Sequence, residues 1–318
     1  MSRKARASRK EICIGGRADG SLVKLPVIQY EGSDGPSLFI GAGIHGDELT
    51  GPASLWKLHE YLKGRVLRGS VTIMPAMNPE GLNYDIRGMP EAGVDLNRLY
   101  PGKVDGYLPE RMTAKIWEVA SRHDAIVDLH TNGWAVPFVL VDPVEGELRR
   151  RTFELAEATG ITVLEELEAE DYALENLGAS LGGAAIKKGI PSITIELGGS
   201  KGIDWGTVDA GYIALTNILA HMGMVDERPK PVRSCFVLRQ KGYRRRDVWS
   251  DKGGLMEYLV EPGTRAREGF RLAKVRDVWG DIVEEVLMPQ DGYVVALNPW
   301  HVASTGTYVG TIAVKGRT

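Results

Sequence analysis

The chain has 318 residues, 43% of them hydrophobic and 25% charged, with a formal net charge of −3. That size allows one large domain or two ordinary ones, and the composition is that of a globular protein with a packed core. The charge leaves no footprint for nucleic acid, no run approaches a membrane span, and Cys13 and Cys235 lack the spacing of a zinc knuckle or disulfide framework.

Residues 1–10, MSRKARASRK, are strongly basic. No apolar run follows them, so they do not read as a secretory signal and are expected to be a frayed, solvated tail. The cytoplasm is the expected compartment. From residue 11 to 225, apolar runs alternate with helix-period segments. Residues 38–43, 71–76, 125–129, 138–141 and 192–197 read as buried strands. Between them, residues 50–62 set Leu55, Leu58, His59 and Leu62 on one face, and 110–120 is similar. This alternation predicts an α/β domain, a parallel or mixed sheet flanked by helices on both faces.

The proline-containing, charged stretch DERPKPVR marks a linker at 226–233. Residues 234–318 then give short strands and Gly turns in two loosely similar halves, which predicts a small all-β domain of barrel-sandwich type. Its punctuation resembles that of biotinyl and lipoyl carrier domains. The turn between its halves, DVWGD at 277–281, has no Lys to carry a cofactor. Packing against the α/β domain is the expected role.

The stretch LFIGAGIHGDELTG, residues 38–51, admits two chemistries. Gly41-Ala42-Gly43-Ile44-His45-Gly46 fits the dinucleotide fingerprint and stands between a predicted strand and helix. That reading needs an acidic residue at the tip of the next strand to hold a ribose. VTIMPAM ends instead in Asn78-Pro79. The metal reading finds what it needs. His45 and Glu48 lie at a strand-to-helix turn where both can reach one ion, and a catalytic zinc takes three protein ligands plus water. AIVDLHTNG offers His130 at a strand end as the third, with Asp128 on the same side as an orienting carboxylate. SITIELGG places Glu196 near another strand tip, suited to take a proton from activated water. DLNR offers Asn97 and the planar fork of Arg98 for a carboxylate, and Arg87 upstream could face a developing oxyanion.

The order H-G-D-E, D-L-N-R, D-L-H and strand-borne E-L-G-G resembles the succinylglutamate desuccinylase/aspartoacylase family, relatives of the zinc carboxypeptidases. The resemblance covers roughly residues 36–200, and the layout, with its appended β-domain, is closest to members of the acetyl-diaminobutyrate deacetylase type. It implies a carboxypeptidase-like α/β fold and one Zn²⁺ per chain held by His45, Glu48 and His130. By the same match Glu196 is the general base, Asn97 and Arg98 grip the substrate carboxylate, and Arg87 polarises the scissile carbonyl. The implied partner is a small N-acyl amino acid or related amide, with no nucleic acid or membrane partner and with self-association left open. Relatives often bring a tyrosine to the pocket; Tyr172, Tyr84 and Tyr258 all remain open for that place.

The other histidines, His59, His123, His221 and His301, read as structural. YRRRD at 243–247 reads as a solvated edge or an interdomain contact, and LEELEAED at 164–171 as an exposed turn. Two rival functions stand beside the deacylase: a metallocarboxypeptidase acting on short peptides, and a non-catalytic protein binding a nucleotide or metabolite through the Gly-rich turn.

Overall fold

The structure, a computed structural model, describes residues 3–91, 93–199 and 201–316. The main strands in chain order are β1 (Arg6–Gly16), β2 (Leu22–Glu31), β3 (Ser33–Ala42), β4 (Val66–Met74), β5 (Ala125–Thr131), β6 (Phe138–Val141), β7 (Thr162–Glu165) and β8 (Ser192–Leu197). The C-terminal part adds β9 (Tyr243–Ser250), β10 (Gly254–Tyr258), β11 (Arg271–Arg276), β12 (Ile282–Leu287), β13 (Gly292–Leu297) and β14 (Thr307–Lys315). The helices are α1 (Thr50–Leu62), α2 (Pro79–Tyr84), α3 (Leu108–Ala120), α4 (Gly146–Ala158), α5 (Ala169–Leu174), α6 (Leu181–Lys188) and α7 (Trp205–His221).

Strands β4, β3, β5 and β8 lie side by side in parallel. Strand β5 is buried along nearly its whole length, which is why its sequence is an apolar run with no alternation. Leu55, Leu58 and Leu62 of α1 pack with α4 and α7 on one face of this sheet. Met112, Ile116 and Ala120 of α3 pack with α6 on the other. Each buried leucine of such a face contributes roughly 1.5–3 kcal/mol. The chain leaves β3 through α1 to reach β4, then crosses back through α3 to β5 on the opposite side of β3. A crevice therefore opens at the carboxyl ends of β3 and β5, the place where open α/β sheets hold ligands.

The basic N-terminus departs from the tail expected for residues 1–10. From Arg6 onward it pairs with β2 in an antiparallel ribbon, Arg6 opposite Glu31 and Lys10 opposite Val27. Its residues stay exposed because this is a sheet margin, and charged side chains there discourage pairing with another chain. The linker region likewise divides the chain less than its composition suggests. Strand β9 runs parallel to β7, with Arg244 opposite Glu165, and β14 and β13 follow, so one 14-stranded sheet spans both halves among the described residues. A separate four-stranded sheet containing β10, β11 and β12 closes over the second half. Phe138 and Leu164 share a core with Tyr243, Val295 and Ala313, which holds the halves together.

Candidate active site

The loop leaving β3 turns at Gly43, whose φ of +64° lies in the left-handed region that glycine enters without strain. Gly46 follows; a Cβ there would lie 1.9 Å from the Gly81 carbonyl carbon, so the loop packs directly on the backbone of α2. This close approach fixes His45 and Glu48 at the crevice. His130 comes from β5, and Glu196 stands opposite it on β8. Asp95 caps the short 3₁₀ turn Leu96–Arg98 by accepting the Asn97 N–H at 2.8 Å.

His45, Glu48 and His130 converge, each offering a ligand atom within 4.8 Å of the others, and all three are buried. Glu48 Oε1 lies 2.7 Å from His45 Nδ1, and its Oε2 lies 3.0 Å from His130 Nδ1 and accepts the Thr131 N–H at 3.0 Å. The two Nδ1 atoms are 3.2 Å apart. On the far side of each ring stands a second carboxylate. His45 Nε2 is 3.1 Å from Asp95 Oδ1, and His130 Nε2 is 2.9 Å from Asp128 Oδ2. Around a bound cation each ring's proton would sit on Nε2, donated to Asp95 or Asp128, which would leave two Nδ1 lone pairs and the Glu48 carboxylate turned on one point. That donor set fits a divalent cation, and carboxylates behind the imidazoles are the usual orienting partners of such ligands.

The electrostatics carry the same demand for positive charge. Burial opposes ionisation of Glu48, yet His45 and His130 hold its carboxyl far below the ordinary range. Burial likewise opposes a charged His130 ring, but Asp128 and Glu48 hold its pKa well above the ordinary value. Glu196 takes no hydrogen bond among the described residues. Burial pushes its carboxyl up to about 7, with the His130 charge acting against and Glu48 acting with that shift. A carboxyl poised there can accept and return a proton near neutrality.

Arg87 donates to Asp95 Oδ2 at 2.9 and 3.2 Å and reaches Glu48 Oε1 at 3.4 Å, so its guanidinium borders the three converging residues. Arg98 donates to the carbonyls of Glu175 and Asn97 at 2.7 and 3.0 Å while lining the same cavity. The Asn97 side chain is more committed than its motif suggests. Its Oδ1 accepts the Leu181 N–H at 2.9 Å, and its Nδ2 lies 3.3 Å from His130 Nε2.

These residues line one end of a cavity of about 370 Å³. The other end is built by residues that sequence patterning read as surface. Arg245 donates to both oxygens of Glu166, at 2.9 and 3.1 Å, and to Asp247 at 2.6 and 3.1 Å. Removing one partner from such a buried pair costs about 3–5 kcal/mol. Trp249 and Tyr308 complete this wall. Tyr308 is the tyrosine brought to the cavity; its hydroxyl donates to Asn132 Oδ1 at 3.1 Å. Of the three tyrosines left open by the sequence, Tyr84 is exposed, Tyr258 donates to the Val309 carbonyl inside the β-domain, and Tyr172 donates to Asp142 at 2.7 Å behind the cavity wall. The alternation of YRRRDVWS was the missed signal: Arg245, Asp247 and Trp249 fall two apart and share one face of β9. Asp142 carried no signal beyond its place just after the predicted run 138–141, and Glu166 fell inside the acidic stretch read as an exposed turn.

Asp142 is buried, and burial, then the charge of Glu166, pushes its carboxyl up to about 7, against the bond from Tyr172. In the unfolded chain it ionises near 4. Between those values the folded state keeps a proton that the unfolded state has released, so stability falls as pH rises through this window. Asp142→Asn lacks that loss. Its melting temperature relative to the parent is expected to rise between pH 5 and pH 8; an offset equal at both pH values in thermal scans would contradict this.

Residues 34–222, more than half of the chain, match the succinylglutamate desuccinylase/aspartoacylase catalytic domain. The chain belongs to the succinylglutamate desuccinylase/aspartoacylase family. It is 29% identical over 283 residues to the N-alpha-acetyl-L-2,4-diaminobutyric acid deacetylase of Halomonas elongata, covering 80% of this chain and 75% of that protein. Family members of known structure extend the likeness across both halves. A succinylglutamate desuccinylase/aspartoacylase from Rhodobacter sphaeroides superposes with a TM-score of 0.84 at 24% identity, covering 99% of this chain and 97% of the other. The product-bound ectoine utilization protein of Ruegeria pomeroyi gives 0.84 at 23% identity, covering 98% and 96%. A metallo-carboxypeptidase from Burkholderia cenocepacia shares the fold more distantly, with a TM-score of 0.52 at 16% identity over 69% of this chain and 65% of that one. The expected carboxypeptidase-like α/β architecture with an appended β-structure is thus the observed one. Among the described residues, no helix is long and apolar enough to cross a membrane.

Proposed function

We propose that this family member is a zinc-dependent deacylase that hydrolyses the amide bond of an N-acyl amino acid. The observation that carries the reading is the convergence of two imidazole Nδ1 atoms and the Glu48 carboxylate on one point, with Glu196 free beside them. Zinc held by His45, Glu48 and His130 would supply Lewis acidity toward a carbonyl and would lower the pKa of water. Asp95 and Asp128 fix the ring orientations by accepting from Nε2. Glu196 takes the proton of the attacking water and later hands it to the leaving nitrogen. Arg87 turns its guanidinium from Asp95 and Glu48 toward the negative charge that grows on the carbonyl oxygen. Arg98 anchors the substrate carboxylate, and the Asn97 backbone carbonyl holds Arg98 in place. The deacetylase activity named for the Halomonas elongata relative supports an acetyl group as one accepted acyl group.

A panel assay tests this. Metal-stripped protein, reloaded with zinc, is offered N-acetyl and N-succinyl amino acids beside short peptides with free C-termini. Cleavage of acyl amino acids, dependent on reloading, is expected. Cleavage of the peptides alone would assign the site to the carboxypeptidase rival, and binding of NAD by a zinc-free, inactive protein would favour the nucleotide reading.

A further inference from the structure

The end of β5 carries His130 and, directly after it, the Thr131 N–H that donates to Glu48 Oε2 at 3.0 Å. Two of the three converging residues therefore depend on where this strand end lies. On one side it is stapled to β8. The Asn132 N–H donates to the Leu197 carbonyl at 2.9 Å, and the Gly199 N–H to the Gly133 carbonyl at 2.8 Å. On the other side it runs along the second half of the chain. A Cβ on Gly133 would fall 2.5 Å from Pro299 Cδ, so the backbones there are in direct contact. Trp134 and Ala135 then pair with Leu297 and Ala296 of β13, and the Val136 N–H donates to the Val295 carbonyl at 3.0 Å. Asn132 is met by a side chain instead. The Tyr308 hydroxyl is the hydrogen-bond partner of its side chain among the described residues, at 3.1 Å. That hydroxyl also lies 2.8 Å from Thr311 Oγ1, which donates to Asp247 Oδ1 at 2.6 Å, and Asp247 is clamped by Arg245.

We infer that Tyr308, set in place by Thr311, is a positioning residue: through Asn132 it holds the strand end that places the His130 ring and the Thr131 N–H. The second half of the chain thereby keeps the three converging residues in register. The backbone is shaped for this. Residues three apart on a regular strand face opposite sides. Strands β9 and β14 slip by one residue, with Val248 opposite Gly310 but Trp249 opposite Tyr308. The bulge brings Tyr308 round to the side of Thr311, and bulges beside active sites serve to re-aim a side chain. The ring of Tyr308 packs on Trp249 with its centroid 5.7 Å away, so its hydroxyl can be deleted while the packing stays. A partner standing behind a metal ligand is worth roughly 10–100-fold in metal affinity or activity. The metal readout below rests on the zinc reading above.

The test uses the full chain and compares the parent with Tyr308→Phe, Thr311→Val and Thr311→Ser. Zinc affinity is measured by competition with a chromophoric chelator, ligand geometry by the visible absorption of the Co²⁺-loaded protein, and the strand end by amide hydrogen exchange at Thr131 and Asn132. Tyr308→Phe is expected to weaken zinc binding by roughly tenfold or more, to shift the Co²⁺ bands and to speed exchange at both amides. Thr311→Val is expected to move all three in the same direction, and Thr311→Ser, which keeps the hydroxyl, to match the parent. A lower melting temperature in Tyr308→Phe with zinc affinity and Co²⁺ bands unmoved would mean that the hydroxyl only joins the two halves, and overturns the inference. A change confined to KM overturns it too, by making Tyr308 a substrate contact. If Tyr308→Phe does not fold, the Thr311 pair decides: equal zinc affinity and equal bands in Thr311→Val and Thr311→Ser remove the role. If the parent takes up neither metal, the zinc reading fails, and the exchange measurement alone judges the positioning role: faster exchange in Tyr308→Phe keeps it and unchanged exchange removes it.

Discussion

Glu196→Gln is expected to retain a full complement of metal and to lose roughly 10²–10⁴-fold in kcat. The amide keeps the shape and the partial burial of the carboxyl but cannot carry a proton from water to the leaving nitrogen. Glu196 is not among the three residues that converge, so elemental analysis should find the metal unchanged. The fold should gain, if anything, because burial raises the cost of ionising Glu196, and glutamine removes that cost. The loss should fall on kcat with KM little changed, since the carboxyl acts in proton transfer and not in holding the ground state. Turnover within a few-fold of the parent would remove Glu196 from the mechanism. Metal loss in the variant would instead make it a ligand.

His45→Ala is expected to abolish both metal binding and activity. The substitution deletes one of the two Nδ1 donors and also frees two carboxylates, because Glu48 and Asp95 lie on opposite edges of the same ring. Glu48 is buried and depends on His45 and His130 to stay ionised. Without His45 the Glu48 carboxyl loses one of the two rings that hold its pKa down, which weakens the second donor along with the first. Removing His130 as well should therefore add little to the loss, as expected for residues that act as one unit. The melting temperature should stop responding to added zinc in the single variant, whereas a site that binds the native state raises it in the parent. Stoichiometric zinc in purified His45→Ala would overturn the ligand assignment.

The strand-borne part of the site was legible because it obeys strong local rules. His130 and Glu196 end apolar runs whose extents, 125–129 and 192–197, fall on the observed strands, and strand ends in open α/β sheets are where ligands sit. His45 and Glu48 stood in a glycine turn that the structure explains by close backbone approach. Asp95 stood in the DLNR motif without a role of its own. The structure turns it to His45 and Arg87 and leaves it 4.0 Å from Arg98. The direction of a loop side chain depends on what it meets across the crevice, which no local pattern encodes. The far wall was illegible for a related reason. Charged runs are usually solvated, and Glu166 becomes buried, and Arg245 and Asp247 partly so, because β9 docks beside β7. The N-terminal ribbon was missed because a margin strand keeps its polar composition on both faces.

The continuation of the sheet through β9 divides labour within one hollow. The groups proposed to break the bond come from residues 45–196, whereas Arg245, Asp247, Trp249 and Tyr308 of the second half line the other end of the same cavity. Substitutions of Trp249 on the inward face of β9 can thus retune which molecule is admitted without touching the reactive apparatus, giving this scaffold a handle for changing diet while keeping its chemistry.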